Sequence, residues 1–337
     1  MSILVTGGAG YIGSHTVLAL LEQGEDVVVV DNFINSSPIS LQRVAKITNK
    51  NPIVYNCDLR DKEKLDSIFR RHSFSHVIHF AGLKSVGESV KKPVEYYDNN
   101  IATTINILQL MSEFSVRNFI FSSSATVYGI PEKIPLTEEC KTGGTTNPYG
   151  TSKLMVETML KDISDADKNF NITVLRYFNP VGAHSSGLIG EDPNGVPNNL
   201  VPFITQVAVG RLESLLIFGN DYDTKDGTGV RDYIHVMDLA HGHIAALNHQ
   251  GKGKSYNVYN LGTGEGHSVL EVIDCFSKTN GIDIKYKFVA RRLGDIAECW
   301  SDSNLAKKEL GWSAEKGISD MLRDTWNWQN KNPNGYN

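Results

Sequence analysis

The chain is predicted to fold as a doubly wound parallel α/β sheet joined to a smaller α/β unit that holds a substrate. Three observations lead there. The N-terminus reads as strand, glycine turn, helix, strand and acid. Strand and helix patterns then alternate into the 170s, and beyond Asn179 they give way to a stretch rich in glycine, proline and asparagine. With 337 residues the chain has room for one large or two medium domains. The expected boundaries are 1–178 for a nucleotide-binding domain and 179–337 for the substrate domain, with some crossing of the chain between them.

Ile3-Leu4-Val5-Thr6 is β-prone and runs into Gly7-Gly8-Ala9-Gly10-Tyr11-Ile12-Gly13. Val17, Leu18, Leu20 and Leu21 follow at helical spacing, and Val27 to Val30 form a second strand ending on Asp31. Gly7, Gly10 and Gly13 let the backbone turn sharply and approach a pyrophosphate. The helix beyond them offers unpaired N–H groups and a favourable dipole. Asp31 stands 18 residues past Gly13, where an acid bonds the adenosine ribose and repels a 2′-phosphate. The pattern is that of a Rossmann-type site, with NAD favoured over NADP. Its Gly-x-x-Gly-x-x-Gly spacing is one residue longer at the start than the dehydrogenase form.

The alternation continues. Ile53-Val54-Tyr55 is a strand ending near Asp58, and Asp61 caps a helix through His72 with Leu65, Ile68 and Phe69 inward. His76 to Phe80 is a buried strand ending in Ala81-Gly82, and one long helical stretch covers Pro93 to Ser115. Phe119-Ile120-Phe121 is the next strand and ends in Ser122-Ser123-Ser124. In such sheets ligands sit beyond the carboxyl ends of the strands. The residues of interest there are the glycine turn, Asp31, Asp58, Ala81-Gly82 and Ser124.

Pro148 suggests a helix start, and Tyr149 and Lys153 lie four apart on that helix, on one face. An ammonium beside a phenol favours the phenolate. A free tyrosine titrates at about 10, so bringing it to neutrality needs roughly 4 kcal/mol of differential stabilisation. Lysine and a second cation could supply that and make Tyr149 a base.

Composition excludes several function classes. A net charge of −5 argues against a nucleic-acid partner, which needs a basic face. No apolar run is long enough to cross a membrane, and the N-terminus lacks the pattern of a signal peptide. Cys57, Cys140, Cys275 and Cys299 are far apart with no paired metal-ligand spacing, as in a reduced cytoplasmic protein, and no metal is expected.

Longer blocks then carry a family resemblance. Thr6 to Gly13, Ser124, and Tyr149 with Lys153 resemble the extended short-chain dehydrogenase/reductase family. Phe80 to Lys84, Tyr96 to Asn100, Ser122 to Gly129, Leu175 to Ala183 and Asp226 to Val236 are similar to its UDP-hexose 4-epimerase branch. The resemblance spans nearly the whole chain. It implies a UDP-sugar substrate, tightly bound NAD and a homodimer built on paired helices near 93–115 and 148–166. It implies that Tyr149 is the base, that Ser124 bonds the sugar 4-oxygen, and that Lys153 holds the nicotinamide ribose and lowers the tyrosine pKa. By the same resemblance Tyr11, Ile12, Asp31, Asn32, Asn35, Ser36, Asp58, Leu59, Phe80, Ala81, Gly82, Lys84, Asn99 and Phe178 line the NAD site.

In the second half, Asn198 to Pro202 opens a helix, Leu215 to Phe218 is a strand, and Asp232 to His235 is another with Arg231 just before it. The resemblance places Arg231 and Arg292 on the diphosphate and Asp295 on the uridine ribose. It places Asn179, Asn199, Leu200, Leu216, Ile217 and Phe218 against sugar or uridine. His235, His241 and His243 read as structural or exposed, and Trp312, Trp326 and Trp328 as packing for the smaller unit. Cys299 stands where family members restricted to the plain sugars often carry tyrosine. A smaller wall there leaves room for a 2-acetamido group, so UDP-GlcNAc and UDP-GalNAc are expected as further substrates. The rivals are a 4,6-dehydratase, a net oxidoreductase and a non-catalytic NAD-binding regulator. A dehydratase needs a carboxylate beside Ser124, where Ala125 and Thr126 stand.

Overall fold

Seven parallel strands form the main sheet of the protein, seen in a computed structural model that describes residues 1–193, 195, 197, 199–292 and 294–336. Asn198, expected to lead into a helix, and Leu293, next to Arg292, lie outside the described residues. Across the sheet the strands run Tyr256–Leu261, Asn171–Tyr177, Asn118–Ser124, Phe74–His79, Ser2–Thr6, Val27–Asp31 and Ile53–Asn56. The chain starts near the middle, steps outward to Ile53–Asn56, then returns to the other side of Ser2–Thr6. That reversal is the switch point at which open α/β sheets bind ligands. It puts Gly7 beside Phe80 and Ala81.

Burial explains the valine run. Val27 to Val30 are all at most 4% exposed, as central parallel strands covered on both faces require. Ile3, Val5, Val27 and Val29 face one core, with the helix Tyr11–Glu22 and the helix Val236–His249. Leu4, Val28 and Val30 face the other, with Leu65, Phe69, Met111, Val156 and Leu160. A third core, around Ile217, Tyr233, Phe276 and Met321, belongs to the smaller unit.

The predicted strands of the first half are present, and Asp61 caps its helix by accepting from the Lys64 amide at 3.1 Å. The expected helix over 93–115 is not continuous. It runs Pro93–Tyr97, widens into a π-turn over Asp98–Ala102, and resumes as Thr103–Glu113. The π-turn turns Asn100 inward, where its side chain accepts from the Leu83 amide (2.8 Å) and donates to the Ser152 hydroxyl (2.9 Å). Such turns occur often at functional sites, and this one ties the 82–84 loop to the helix Pro148–Ala166.

Parts of the second half join the large sheet and its core. Tyr256–Leu261 completes the large sheet, and Val236–His249 packs on Tyr11–Glu22. Trp312 therefore corrects the sequence reading. It sits in the large core, its indole N–H donating 2.9 Å to the Asp238 carbonyl, and only Trp326 joins the third core. Trp328 packs with Ala183 and Tyr336. Asn179–Val181, expected as loop, is a short strand beside Tyr233–His235, and Arg231 lies inside the strand Val230–His235.

Asp232 holds this second sheet together. Fully buried, its carboxylate accepts from the Thr263 amide and hydroxyl (2.8 and 2.6 Å), the Gly264 amide (3.1 Å), and the Ser301 amide and hydroxyl (3.1 and 2.6 Å). Asp232→Ala strands these buried donors. It is expected to lower stability by at least about 3 kcal/mol, read as a lower urea midpoint. An unchanged midpoint would show that the carboxylate is dispensable.

Candidate active site

The helix Tyr11–Glu22 starts at Gly10 with no side-chain cap, which leaves its first amides open toward the sheet edge. Gly7 has φ +68°, and a Cβ on it would lie 2.6 Å from the Ala81 amide nitrogen. A Cβ on Gly13 would lie 2.3 Å from the Gly7 carbonyl oxygen. Only glycine fits this turn, and the resulting cradle of backbone amides suits the pyrophosphate of a dinucleotide.

Asp31 ends its strand 8% exposed and accepts from the Ala9 amide (3.0 Å), the Phe33 amide (2.9 Å) and the Ser36 hydroxyl (2.8 Å). Asn32 donates to Asp58 (3.1 Å), whose carboxyl Arg60 holds far below its ordinary range. Asn35 is exposed, whereas the Leu59 side chain is in the core, so Leu59 could meet a cofactor only through its backbone. Phe80 packs against the His243 ring, and Asn99 is half-buried on the π-turn. Lys84 pairs with Glu191 at 3.0 Å and lies 5.9 Å from the centre of the Tyr11 ring.

Ser124 closes the strand Asn118–Ser124, and its hydroxyl accepts from the Thr126 amide (3.2 Å). Asn147 caps the helix that follows by accepting from the Gly150 amide at 2.9 Å, with Pro148 in the first turn as expected. The cap fixes the rotation of the helix, and with it Tyr149 and Lys153. Lys153 is 5% exposed and donates 2.7 Å to the Ser122 carbonyl, with the Phe121 ring centre at 4.8 Å and that of Tyr149 at 6.0 Å. Burial pulls its pKa down to about 8, against an upward pull from Glu157.

Burial pushes the Tyr149 phenol up; a hydrogen bond with Ser124 and the Lys84 charge oppose it but do not reverse it. Lys153 donates to the Ser122 carbonyl, with its ammonium 6.0 Å from the Tyr149 ring centre.

On the opposite wall, Arg231 pairs with Asp295 and also donates to the Ile296 carbonyl at 2.8 Å. The Arg292 guanidinium stacks 3.9 Å from the Phe218 ring centre. Strand alternation separates the 216–218 residues: Leu216, at the edge of the third core, and Phe218 are half-buried, while Ile217 is 1% exposed within that core. Its side chain does not face the site. Asn199 precedes the helix Leu200–Ala208 and donates to Glu191 at 3.2 Å, and Leu200 packs beside the third core. Asn179 begins its short strand half-buried. Cys299 is on a two-residue strand beside Arg231, 9% exposed, in one cluster with Val127, Tyr128, Leu136 and Phe178. Burial raises its thiol to about 11.

His235 and His243 are buried and hydrogen-bonded, His241 is exposed, and no metal-ligating cluster is found among the described residues. Sequence reasoning missed Asn100 and Glu191. The polar run Asp98-Asn99-Asn100 inside a helical pattern marked the first. Nothing local marked the second, which reaches both Lys84 and Asn199 from a loop.

The chain belongs to the NAD dependent epimerase/dehydratase family, whose model matches residues 3–262. It is an NAD-dependent enzyme of that family. It is 61% identical over 336 residues to a UDP-glucose 4-epimerase of Haemophilus influenzae, covering 100% of this chain and 99% of that protein. The UDP-glucose 4-epimerase of Bifidobacterium longum, solved with NAD+ and UDP, is 56% identical with a TM-score of 0.96, covering 99% of this chain and 100% of that one. The UDP-Glc/GlcNAc 4-epimerase of Campylobacter jejuni is 36% identical with a TM-score of 0.85, covering 98% of this chain and 99% of that one.

Proposed function

We propose that the chain interconverts UDP-galactose and UDP-glucose at C4, keeping NAD bound throughout, and that it also interconverts UDP-GlcNAc and UDP-GalNAc. The observation that carries this is the convergence at one sheet edge of Ser124, Tyr149 and Lys153 beside the glycine cradle. The arginine wall closes over them: Gly294 approaches Thr146, and Cys299 packs on Val127 and Tyr128. The names of the relatives above point the same way.

On this reading Tyr149 takes the proton of the sugar 4-hydroxyl, and the Ser124 hydroxyl bonds the 4-oxygen as it becomes a carbonyl. NAD supplies what no side chain can, a group that accepts the C4 hydride and gives it back. The 4-keto sugar turns about its link to the diphosphate and presents its other face, and Tyr149 returns the proton. Because burial raises Tyr149 in the chain alone, Lys153 and the cofactor's positive ring must together favour its phenolate. Arg231 and Arg292 suit the diphosphate, and Asp295 the uridine ribose. Exchange of Arg231 from Asp295 to a phosphate replaces one charge-assisted bond with another.

Four free thiols support a cytoplasmic enzyme. Val90, Val94 and Met155, 56%, 77% and 45% exposed on the 86–97 and 148–166 helices, support a homodimer across that face. Sedimentation equilibrium is expected to give twice the chain mass, and monomer alone would remove the dimer.

Purified protein given UDP-galactose without added cofactor is expected to yield UDP-glucose by NMR, with Tyr149→Phe slower by about 10²–10⁴-fold. Steady NADH release would instead indicate a net oxidoreductase, and full turnover by Tyr149→Phe would remove it as the base. Cys299→Tyr crowds the wall by ~1–3 kcal/mol, which is roughly 5- to 200-fold. It should lose acetylated turnover by that factor while keeping the plain pair. Wild-type protein inert toward UDP-GalNAc would sink the dual reading.

A further inference from the structure

A buried ion pair lies directly behind the three site residues. Glu157 is on the helix Pro148–Ala166, one turn beyond Lys153 and two beyond Tyr149. Arg176 is on the strand Asn171–Tyr177, and their side chains are 5% and 7% exposed. The Arg176 Nε and a terminal nitrogen donate to the two Glu157 oxygens at 3.1 and 2.6 Å. The Ser123 hydroxyl, one residue before Ser124, donates to the same carboxylate at 2.5 Å. Arg176 also donates to the Tyr128 hydroxyl (3.0 Å), at the end of the 3₁₀ turn that follows Ser124, and Tyr128 donates on to the Asn260 side chain (2.7 Å). One carboxylate thus joins the helix that carries Tyr149 and Lys153 to both sides of Ser124.

We propose that Glu157, held by Arg176, is a positioning residue for the reaction: it locks the Tyr149–Lys153 helix against the Ser124 strand and balances the Lys153 ammonium. This rests on the reading of Lys153 and Tyr149 given above. A buried pair is not needed for stability alone, since apolar residues of similar volume often replace one at little cost. What apolar residues cannot supply is a negative charge one turn from a buried cation.

The surroundings of Lys153 single out that charge. From its own helix come Tyr149 and Glu157. From Asn118–Ser124 come the Ser122 carbonyl and the Phe121 ring. From Phe74–His79 comes His79, its ring bonded to Thr6 and Thr104 and kept neutral by burial, with a pKa of about 3. From Asn171–Tyr177 come Arg176, the cation paired with Glu157, and Tyr177, its hydroxyl bonded to His243 and its pKa raised. From the 82–84 loop comes Lys84, whose charge acts on Tyr149. Among these groups Glu157 is the carboxylate, and its effect is to raise Lys153 against burial. Removing it lowers Lys153 further, so the ammonium is lost at a lower pH and the alkaline limb of turnover moves down with it.

The test uses NAD-loaded enzyme labelled with ¹³Cε-lysine, Lys153 being assigned by the signal missing in Lys153→Met. Glu157→Gln is expected to shift the Lys153 titration and the alkaline limb of kcat down together by roughly one pH unit. The apolar double variant Glu157→Leu with Arg176→Met, which removes both charges, is expected to keep a melting temperature near that of wild type and to show a smaller shift in the same direction. It covers the case in which Glu157→Gln does not fold. A folded variant whose Lys153 titration and kcat profile superimpose on wild type overturns the proposal, as does one slowed equally at every pH with Lys153 unmoved. Wild-type protein that fails to epimerise would sink the proposed function instead, and the NMR titration would still read the effect of Glu157 on Lys153.

Discussion

Lys153 places an ammonium where almost no water reaches it, and its bond to the Ser122 carbonyl is the contact on which the site's geometry turns. Burying an unpaired cation costs several kcal/mol, so the groups around it have to be arranged in advance. The carbonyl is available because Ser122 is near the end of its strand, where the sheet edge opens. The helix is in range because Asn147 and Pro148 start it in a fixed rotation. The same constraint explains the π-turn: Asn100 bonds both Ser152, beside Lys153, and Leu83, beside Lys84. Two lysines of the site are thereby held by one amide side chain.

The sequence reveals the parts of this arrangement that follow a local period. Buried parallel strands read as apolar runs, the glycine turn reads as glycines at fixed spacing, and Pro148 marks a helix start. That was enough to bring Gly7, Ala81, Ser124 and Tyr149 to one edge, since the sheet topology does the rest. What stayed hidden depends on contacts between distant segments. Ile217 alternates inward because its strand pairs with Tyr286–Val289 over the third core. Trp312 returns to the large core because the helix Val236–His249 has already crossed there. Glu157 continues the spacing of Tyr149 and Lys153 by another turn, yet a charged side chain on that face reads as exposed until Arg176 appears opposite it.

Tyr149 shows what local spacing leaves out. Two residues four apart on a helix are neighbours, and the simple inference is that the lysine tunes the tyrosine. In the fold the lysine is committed to a carbonyl, and burial acts on both side chains in the direction that neutralises each. A phenolate and an ammonium are therefore most stable as a pair, each supplying the charge that the other's burial opposes. The Glu157–Arg176 pair holds the helix that carries both residues against the neighbouring strand.

The second half is registered to this network through backbone, not through a linker. Tyr256–Leu261 is hydrogen-bonded into the large sheet, so Asn260 meets Tyr128 directly, and its amide donates to Glu138 at 2.7 Å. Asp232 then fixes the 263–264 turn and Ser301, and the strand pairing sets Cys299 opposite Arg231. In that chain of contacts the backbone near Cys299 is held, and among the described residues its thiol joins no polar network; it lies among apolar neighbours. The position can change size without breaking a hydrogen bond. Cys299 is thus free to vary in size while the hydrogen bonds that hold Ser124 and Lys153 stay in place.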